Sequence, residues 1–219
     1  MYVPDHFGAS DADLRALLEN LGAAELITAT DEGLLATFLP LIYEPPGGTP
    51  QTGPNGRLMG HVARNNRQWK VPAAGEALVI ARGPEAYISP AWYATKAEHG
   101  RVVPTWNYVT AHIHGRLVVH DDTDWVERNV RALVARHEGR RPEPWSVDDA
   151  PPEYVAGQLR AIVGVEVRIT RIEAKLKLSQ NRSKADVEGA IDGLRGEGGD
   201  GGSHATAKAM DDAERARNR

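Results

Sequence analysis

The sequence contains no cysteine, which excludes disulfide bonds, thiol nucleophiles and thiolate metal sites. It has no apolar run near the roughly 20 residues that a membrane helix needs, and its start lacks the layout of a signal peptide. We therefore expect a cytoplasmic protein without a membrane segment. Positive charge is not in excess either, because the formal net charge is −4 at pH 7. If the protein binds DNA, the DNA would have to contact a local basic patch or a surface formed by a dimer.

Several nucleotide-binding and hydrolase motifs are also missing. The chain has no Gly-x-Gly-x-x-Gly fingerprint and no P-loop, which argues against a dinucleotide-binding Rossmann domain and against a P-loop enzyme. It has no Gly-x-Ser-x-Gly or Ser-x-x-Lys motif that would mark a serine nucleophile. Hydrophobic residues still make up 41% of the chain, so its 219 residues can form a substantial core.

Short apolar segments separated by turn residues dominate the chain, and helices are few. We predict helices at 11–21, 124–137 and after Ser183, and strands at 25–30, 34–42, 57–63, 77–82, 86–89, 111–120 and from 165. This pattern favours an α+β or mainly β fold with a β-barrel core and peripheral helices. Residues 1–194 should form that domain. Residues 195–219 are rich in glycine and charge and lack large aliphatic side chains, which predicts a disordered tail.

The stretch 165–184, VEVRITRIEAKLKLSQNRSK, begins as an alternating strand and ends in polar residues. The alternation of apolar and polar residues shifts by one position at Ile172, which is typical of a β-bulge. The stretch carries six Lys or Arg and two Glu, a local net charge of +4. Basic and hydroxyl groups at a strand end suit a small anion such as phosphate. The alternative is a solvated edge strand that its lysines protect from aggregation.

Three clusters that mix polar and aromatic residues lie at the ends of other predicted strands. They cover 60–66, with Trp69 close behind, 87–93 and 103–108. A planar aromatic ligand needs apolar or aromatic faces and a few donors at its edge, and a phosphorylated one also needs cations at its tail. The aromatic residues could instead pack in the core or in a dimer interface, and that alternative stays open for each of them.

Two histidines of one predicted strand could take part in a metal site. His112 and His114, two residues apart, share a strand face, and His61 could supply a third ligand. No Asp or Glu stands beside them at a familiar ligand spacing. An ordinary polar strand face is therefore favoured, and we predict no metal.

Taken in order, these clusters resemble the PaiB family of FMN-binding negative transcriptional regulators. The resemblance covers roughly residues 1–195, and only the glycine-rich tail lies outside it. One departure is Asn66-Arg67, where the family usually has Asn-Pro. The matching segments are MYVPDHF at 1–7, GHVARNN at 60–66, GPEAYISPAWY at 83–93, VPTWNY at 103–108 and KLKLSQNRS at 175–183.

The resemblance implies a split β-barrel related to pyridoxamine-phosphate oxidases, usually a homodimer with FMN at the subunit interface. By that similarity, His61, Arg64 and Asn65 would line the cofactor site. The residues implied in phosphate or ribityl contacts are Lys175, Lys177, Ser179, Gln180 and Arg182. Those implied beside the isoalloxazine ring or in the interface are Trp92, Tyr93, Trp106, Asn107 and Tyr108.

The resemblance further implies an FMN-binding protein that represses transcription, although the chain shows no helix-turn-helix with a basic recognition helix. An alternative is a flavin-dependent oxidoreductase that uses NAD(P)H, in which the cofactor carries the chemistry. A haem-linked activity involving His112 and His114, and a partner protein that has lost the cofactor, also remain open. No residue is assigned a catalytic role.

Overall fold

The structure, a computed structural model, describes residues 1–47, 52–196 and 201–217. No helix in these ranges is both long and apolar enough to span a membrane. In chain order, the helices and strands are α1 (Asp11–Glu19), β1 (Ala23–Thr30), β2 (Gly33–Pro40), β3 (Ile42–Glu44), β4 (Arg57–Ala63), β5 (Ala77–Ile88), α2 (Thr95–His99), β6 (Thr105–His120), α3 (Thr123–Glu138), α4 (Pro152–Arg160), β7 (Ile162–Lys177), α5 (Lys184–Arg195) and α6 (Gly201–Arg217).

The strands form one seven-stranded antiparallel sheet with the order β2-β1-β5-β6-β7-β4-β3. β1 and β2 form a hairpin in which every residue of β1 is paired, from Ala23 with Pro40 to Thr30 with Gly33. The order begins at β2 and ends at β3, so the sheet is open rather than a closed barrel in the described part of the chain.

The chain divides into two compact units. Unit 1 comprises Met1–Leu14, Arg82–Ala111 and Glu173–Arg219, and unit 2 comprises Arg15–Ala81 and His112–Ile172. The boundaries fall inside β5, β6 and β7, so each of these three strands contributes residues to both units.

Unit 2 has a core of aliphatic side chains at alternate strand positions. Leu26, Val79 and Ile113 are fully buried on β1, β5 and β6, and Val165 and Val167 are buried on β7. The period-two spacing of these residues puts them on one face of the sheet, as the sequence predicts. Burial of this face provides the main hydrophobic stabilisation of the unit.

Unit 1 is built around helix α5, whose sequence places Val187, Ile191 and Leu194 on one apolar face. These side chains pack with Ile88 and Leu178 from the ends of β5 and β7. Ser183 caps the helix as predicted, because its hydroxyl accepts a hydrogen bond from the backbone N–H of Asp186 at 3.2 Å.

Most strand predictions are confirmed, with β4 matching residue for residue, but the region around Gly83 is different. The sequence analysis separates strands at 77–82 and 86–89, whereas the structure has one continuous strand, β5. A Cβ atom at Gly83 would lie 2.8 Å from the Cβ of Val109, so the glycine permits a close approach to β6. Gly83 and Pro84, which are typical turn residues, therefore lie inside a strand, and Gly83 allows β5 to pack closely against β6.

The C-terminal segment also differs from the expectation. Composition predicts a disordered tail over 195–219, but 201–217 form helix α6, and 197–200 and 218–219 lie outside the described residues. Thr206, Ala207 and Met210 of this helix are buried, and Ala207 and Met210 join the core cluster of α5. Small side chains allow the close packing that replaces the missing large aliphatic residues.

The packing of Gly164 on β7 gives a test of unit 2. The indole of Trp125 lies directly over this glycine, and a Cβ atom there would overlap the ring. We expect Gly164→Ala to lower the free energy of unfolding by about 1–3 kcal/mol, because overpacking forces the ring or the backbone to move. Urea unfolding followed by far-ultraviolet circular dichroism measures this loss.

Gly75→Ala is the matched control, because no atom lies within 4 Å of the Cβ position that it would occupy. This variant should unfold at nearly the same urea concentration as the unaltered protein. Equal midpoints for the two variants would contradict the tight contact between Gly164 and Trp125.

Candidate functional site

The residues that the sequence analysis implicates in cofactor binding divide between the two units. His61, Arg64 and Asn65 belong to unit 2. The other ten belong to unit 1, and they are Trp92, Tyr93, Trp106, Asn107, Tyr108, Lys175, Lys177, Ser179, Gln180 and Arg182.

Lys175, Lys177 and Arg182 form a group at the end of β7 that we call the cation cluster. The Lys177 ammonium donates hydrogen bonds to the Thr105 hydroxyl and, at 2.8 Å, to the Trp106 carbonyl. Burial lowers the pKa of Lys177, and the charges of Lys175 and Arg182 lower that pKa further. The cluster thus holds three like charges close together, an arrangement that a bound anion would stabilise.

Aromatic rings surround Lys175. Its ammonium lies 5.6 Å from the centre of the Tyr108 ring, and the Tyr2 and Phe7 rings are within 6 Å as well. The same ammonium donates a 3.2 Å hydrogen bond to the Tyr2 carbonyl, and Lys175 forms an isolated β-bridge with Gly8. Cation–π contacts of this kind fix a lysine that would otherwise be mobile. The N-terminal motif MYVPDHF therefore positions one member of the cation cluster.

Arg182 is carried by a turn that we define as Ser179–Arg182. The backbone N–H of Arg182 donates to the Ser179 carbonyl at 2.9 Å, which closes the turn. Ser179 has a φ of 68°, in the left-handed region that residues other than glycine rarely adopt. The Arg182 guanidinium then lies 4.9 Å from the centre of the buried Tyr93 ring. Tyr93 thus orients the third cation.

Three of the predicted contact residues support this turn from within unit 1. Asn107 is fully buried, and its Nδ2 atom donates to the Ser179 hydroxyl at 2.9 Å. The Gln180 carboxamide accepts from the Leu178 N–H at 2.8 Å and donates to the Leu176 carbonyl at 2.6 Å. The side-chain polar groups of Asn107, Ser179 and Gln180 therefore hold the turn in place.

Among the predicted aromatic residues, Trp106 is the most accessible and Trp92 is packed. Trp106 is 48% exposed, and its ring centre lies 6.4 Å from that of the equally exposed Tyr87 on β5. The Trp92 ring packs against α5, where a side chain at Gly193 would overlap it. The exposed pair of Trp106 and Tyr87 thus offers an aromatic surface, and the backbone carbonyl of Trp106 itself accepts a hydrogen bond from Lys177.

In unit 2, Arg64 is already engaged by protein groups. It forms a two-pronged pair with Asp121 at 2.6 and 3.1 Å and donates to the Arg160 and Ile162 carbonyls. The hydrogen bond from Arg64 lowers the pKa of the Asp121 carboxyl. Asn65 lies in the following turn and is exposed. Of these two residues, Asn65 has the side chain more open to a ligand.

Asn129, a residue that the sequence analysis missed, orients His61. The Nδ1 atom of His61 lies 3.2 Å from the Oδ1 atom of Asn129 on α3. Asn129 is buried, and its Nδ2 atom has no hydrogen-bond partner in the described part of the protein. The sequence does indicate that Asn129 is buried, because it is next to Val130 and four residues before Leu133, on the apolar side of the predicted helix.

The sequence predicts the wrong surroundings for Glu166, because the alternation of residues 165–170 puts it on a polar strand face. The structure buries it completely among Arg57 at 3.0 Å, Arg168 at 2.7 Å and His120 at 3.1 Å. The His120 ring in turn stacks on Trp125 with 4.1 Å between their centres. A glutamate inside a valine-rich run was the available signal, because a carboxylate is buried only when it is paired.

His112 and His114 lie on the part of β6 that belongs to unit 2. In residues 1–47, 52–196 and 201–217, no group of three His, Asp or Glu side chains is arranged to hold a metal ion.

Comparisons with known proteins agree with the resemblance of the motifs. The family described as "Putative FMN-binding domain" matches residues 1–171. The chain is similar to protease synthase and sporulation protein PAI 2 of Bacillus subtilis, with 30% identity over 90% of each chain. It is also similar to an uncharacterised protein of Aspergillus fumigatus, with 32% identity over 74% of this chain and 76% of that protein.

Two solved structures share the fold at low sequence identity. One is the flavocytochrome Anf3 of Azotobacter vinelandii, with a TM-score of 0.55 and 15% identity over 76% of this chain and 67% of that chain. The other is the FAD- and haem-binding protein of Mycobacterium smegmatis, with a TM-score of 0.53 and 15% identity over 79% and 74%. The predicted fold class, a flavin-binding split barrel with peripheral helices, is confirmed, and its sheet is not closed. The chain therefore belongs to the FMN-binding domain family that its motifs resemble, and its cofactor is FMN.

Proposed function

We propose that this protein is a cytoplasmic, homodimeric FMN-dependent repressor of transcription, in which the cation cluster binds the phosphate of FMN. The observation that carries the proposal is the accumulation of Lys175, Lys177 and Arg182 in unit 1. A phosphate is a compact anion with several acceptor oxygens, and it gains most from converging charged donors.

The state of Lys177 supports a phosphate at this position. Its lowered pKa records the cost of holding an ammonium partly buried beside two further cations. A phosphate would relieve the repulsion. Two of the three N–H groups of Lys177 would keep their acceptors on Thr105 and Trp106, and the third would be oriented toward the phosphate. Arg182 presents a planar fork of donors that fits two phosphate oxygens.

The neighbouring aromatic surface fits the other end of the cofactor. Trp106 and Tyr87 are half exposed and lie close together. Lys177 ties the Trp106 backbone to the cation cluster. We propose that these rings lie against the isoalloxazine, which supplies redox chemistry when bound. His61 and Asn65 remain proposed contacts to polar groups of FMN, and Arg64 keeps their turn in place.

An exposed apolar surface of unit 2 supports the homodimer. We define the apolar sheet face by Leu34, Ala36 and Phe38 on β2 and Ile27 and Ala29 on β1. Register pairs Leu34 with Ala29, Ala36 with Ile27 and Phe38 with Glu25, so these side chains share one face of the hairpin and Glu25 bounds its apolar part. Leu34 is 75% exposed and Phe38 is 69% exposed. Contiguous apolar surface of this kind is typical of subunit contacts.

Sequence similarity supports the regulatory role, because the relative in Bacillus subtilis is named for protease synthase and sporulation. Helices α3 and α4 are separated by residues 139–151, a connection much longer than the turn of a helix-turn-helix. We therefore propose that any DNA contact uses a surface of the dimer rather than a single recognition helix.

Replacing Lys177 tests the phosphate site. We expect Lys177→Ala to weaken FMN binding about tenfold or more, because a charged hydrogen-bond donor to phosphate is lost. Riboflavin, which lacks the phosphate, should bind the variant and the unaltered protein with similar affinity. Quenching of flavin fluorescence on titration of the flavin-free protein measures both dissociation constants.

The control for this test is Lys208→Ala on α6, because that lysine pairs with Asp212 on its own helix. FMN affinity should be the same in the control and in the unaltered protein. Equal FMN affinity in the Lys177 variant would remove the cation cluster from the proposed phosphate site.

Phe38→Asp tests the homodimer. Phe38 lies at one end of the apolar sheet face, where it pairs with Glu25 of β1. A second carboxylate there would lose its hydration on association and would repel the first, so we expect this variant to sediment as a monomer. Tyr154→Asp is the control, since Tyr154 is an exposed aromatic residue of α4 outside this face, and this variant should remain dimeric. Sedimentation velocity measures both, and a dimeric Phe38 variant would show that the interface lies elsewhere.

The repressor role is tested on DNA from the promoter region beside the protein's own gene. We expect the dimer to retard this fragment in gel electrophoresis, with an affinity that falls as salt rises because counterions are released. A fragment of equal length and shuffled sequence is the control. Equal binding of both fragments, together with steady FMN-dependent oxidation of NAD(P)H, would favour the oxidoreductase instead.

A further inference from the structure

We propose that helix α6 positions the cofactor site, with Met210 and Arg217 holding the Ser179–Arg182 turn so that Arg182 stands ready for the phosphate. This inference rests on the proposed function of the cation cluster. Helix α6 lies beyond residues 1–171, the part of the chain that the family match covers.

The first contact reaches the turn through Asn107. The Nδ2 atom of Asn107 donates to the Sδ atom of Met210 at 3.3 Å and to the Ser179 hydroxyl at 2.9 Å. Met210 is 1% exposed and Asn107 is fully buried, so no water competes for these groups. The helix thus closes over the carboxamide that holds the first residue of the turn.

The second contact is made directly to the turn backbone. The Nη1 atom of Arg217, at the end of α6, donates to the Gln180 carbonyl at 2.9 Å. The Gln180 side chain simultaneously binds the Leu178 N–H and the Leu176 carbonyl of the same strand region. One residue of the turn is therefore fixed to β7 on one side and to α6 on the other.

The turn needs such support because of its backbone. A serine with a φ of 68° is strained, and strained residues persist where surrounding contacts determine their conformation. If these contacts were lost, Ser179 would relax toward ordinary φ values, and the residues after it would swing away. Arg182, three residues on, would then leave its place near the ring of Tyr93 and beside Lys177.

Docking of α6 has limited support of its own. The side chains that it buries are those of Thr206, Ala207 and Met210, and none of them is a large branched hydrocarbon. A helix with so little buried apolar surface opens more easily than the rest of its unit. Undocking would release the turn, so the position of α6 would set the affinity for the phosphate end of the cofactor.

The test compares FMN with riboflavin in Arg217→Ala. The variant should bind FMN about threefold to tenfold more weakly, the range expected from one hydrogen bond, while its riboflavin affinity changes by less than about twofold. Arg217→Lys, which retains a donor, should restore part of the preference for FMN. Met210→Leu keeps the packing volume but loses the sulfur acceptor, and it should reduce the same preference by about twofold, because thioethers accept weakly.

Arg215→Ala is the matched control, because Arg215 is in the same last turn but pairs with Asp211 within α6. It should leave the FMN-to-riboflavin affinity ratio unchanged. An unchanged ratio in Arg217→Ala would overturn the positioning role, and so would an equal loss for both flavins. If the unaltered protein itself bound both flavins equally, the failure would lie with the phosphate site and not with α6.

Discussion

Repulsion among three cations at the end of β7 is the constraint on which the proposed site in unit 1 depends. Lys175, Lys177 and Arg182 each hold their position through a different set of contacts: aromatic rings, backbone and hydroxyl acceptors, and a tyrosine face. Keeping like charges together costs free energy, and a bound anion would offset that cost. The proposed phosphate site would therefore account for a locally basic strand end in a chain of negative net charge.

The support for the cluster comes from distant parts of the chain. The N-terminal motif surrounds Lys175, Thr105 binds Lys177, and the Ser179–Arg182 turn depends on Asn107 and on helix α6. A charged site is useful only if its donors already stand in place, because ordering them during binding would reduce affinity. Asn107 and Gln180, which the resemblance implies as ligand contacts, hold the backbone of the turn in the structure, and this would prepare the proposed site.

Unit 2 depends on the opposite arrangement, a buried charge that is fully compensated. Glu166 is held by Arg57, Arg168 and His120, and His120 stacks on the indole of Trp125, which covers Gly164. Such a network stabilises only when every member is paired, so loss of one partner would leave an uncompensated charge in the core. The exposed apolar sheet face of the β1–β2 hairpin lies in this same unit.

The sequence by itself determined helices α1, α3 and α5 and most strands, because apolar periodicity and capping residues such as Ser183 are local signals. It also identified the cationic strand end and the family, since both are carried by contiguous motifs. Only the tertiary structure decided that Gly83 continues a strand, that 201–217 fold as a helix, and that Glu166 is buried. Each of these three features depends on the side chains that pack against it. Those side chains are distant in the sequence and meet only on folding, so no periodic sequence pattern reveals them.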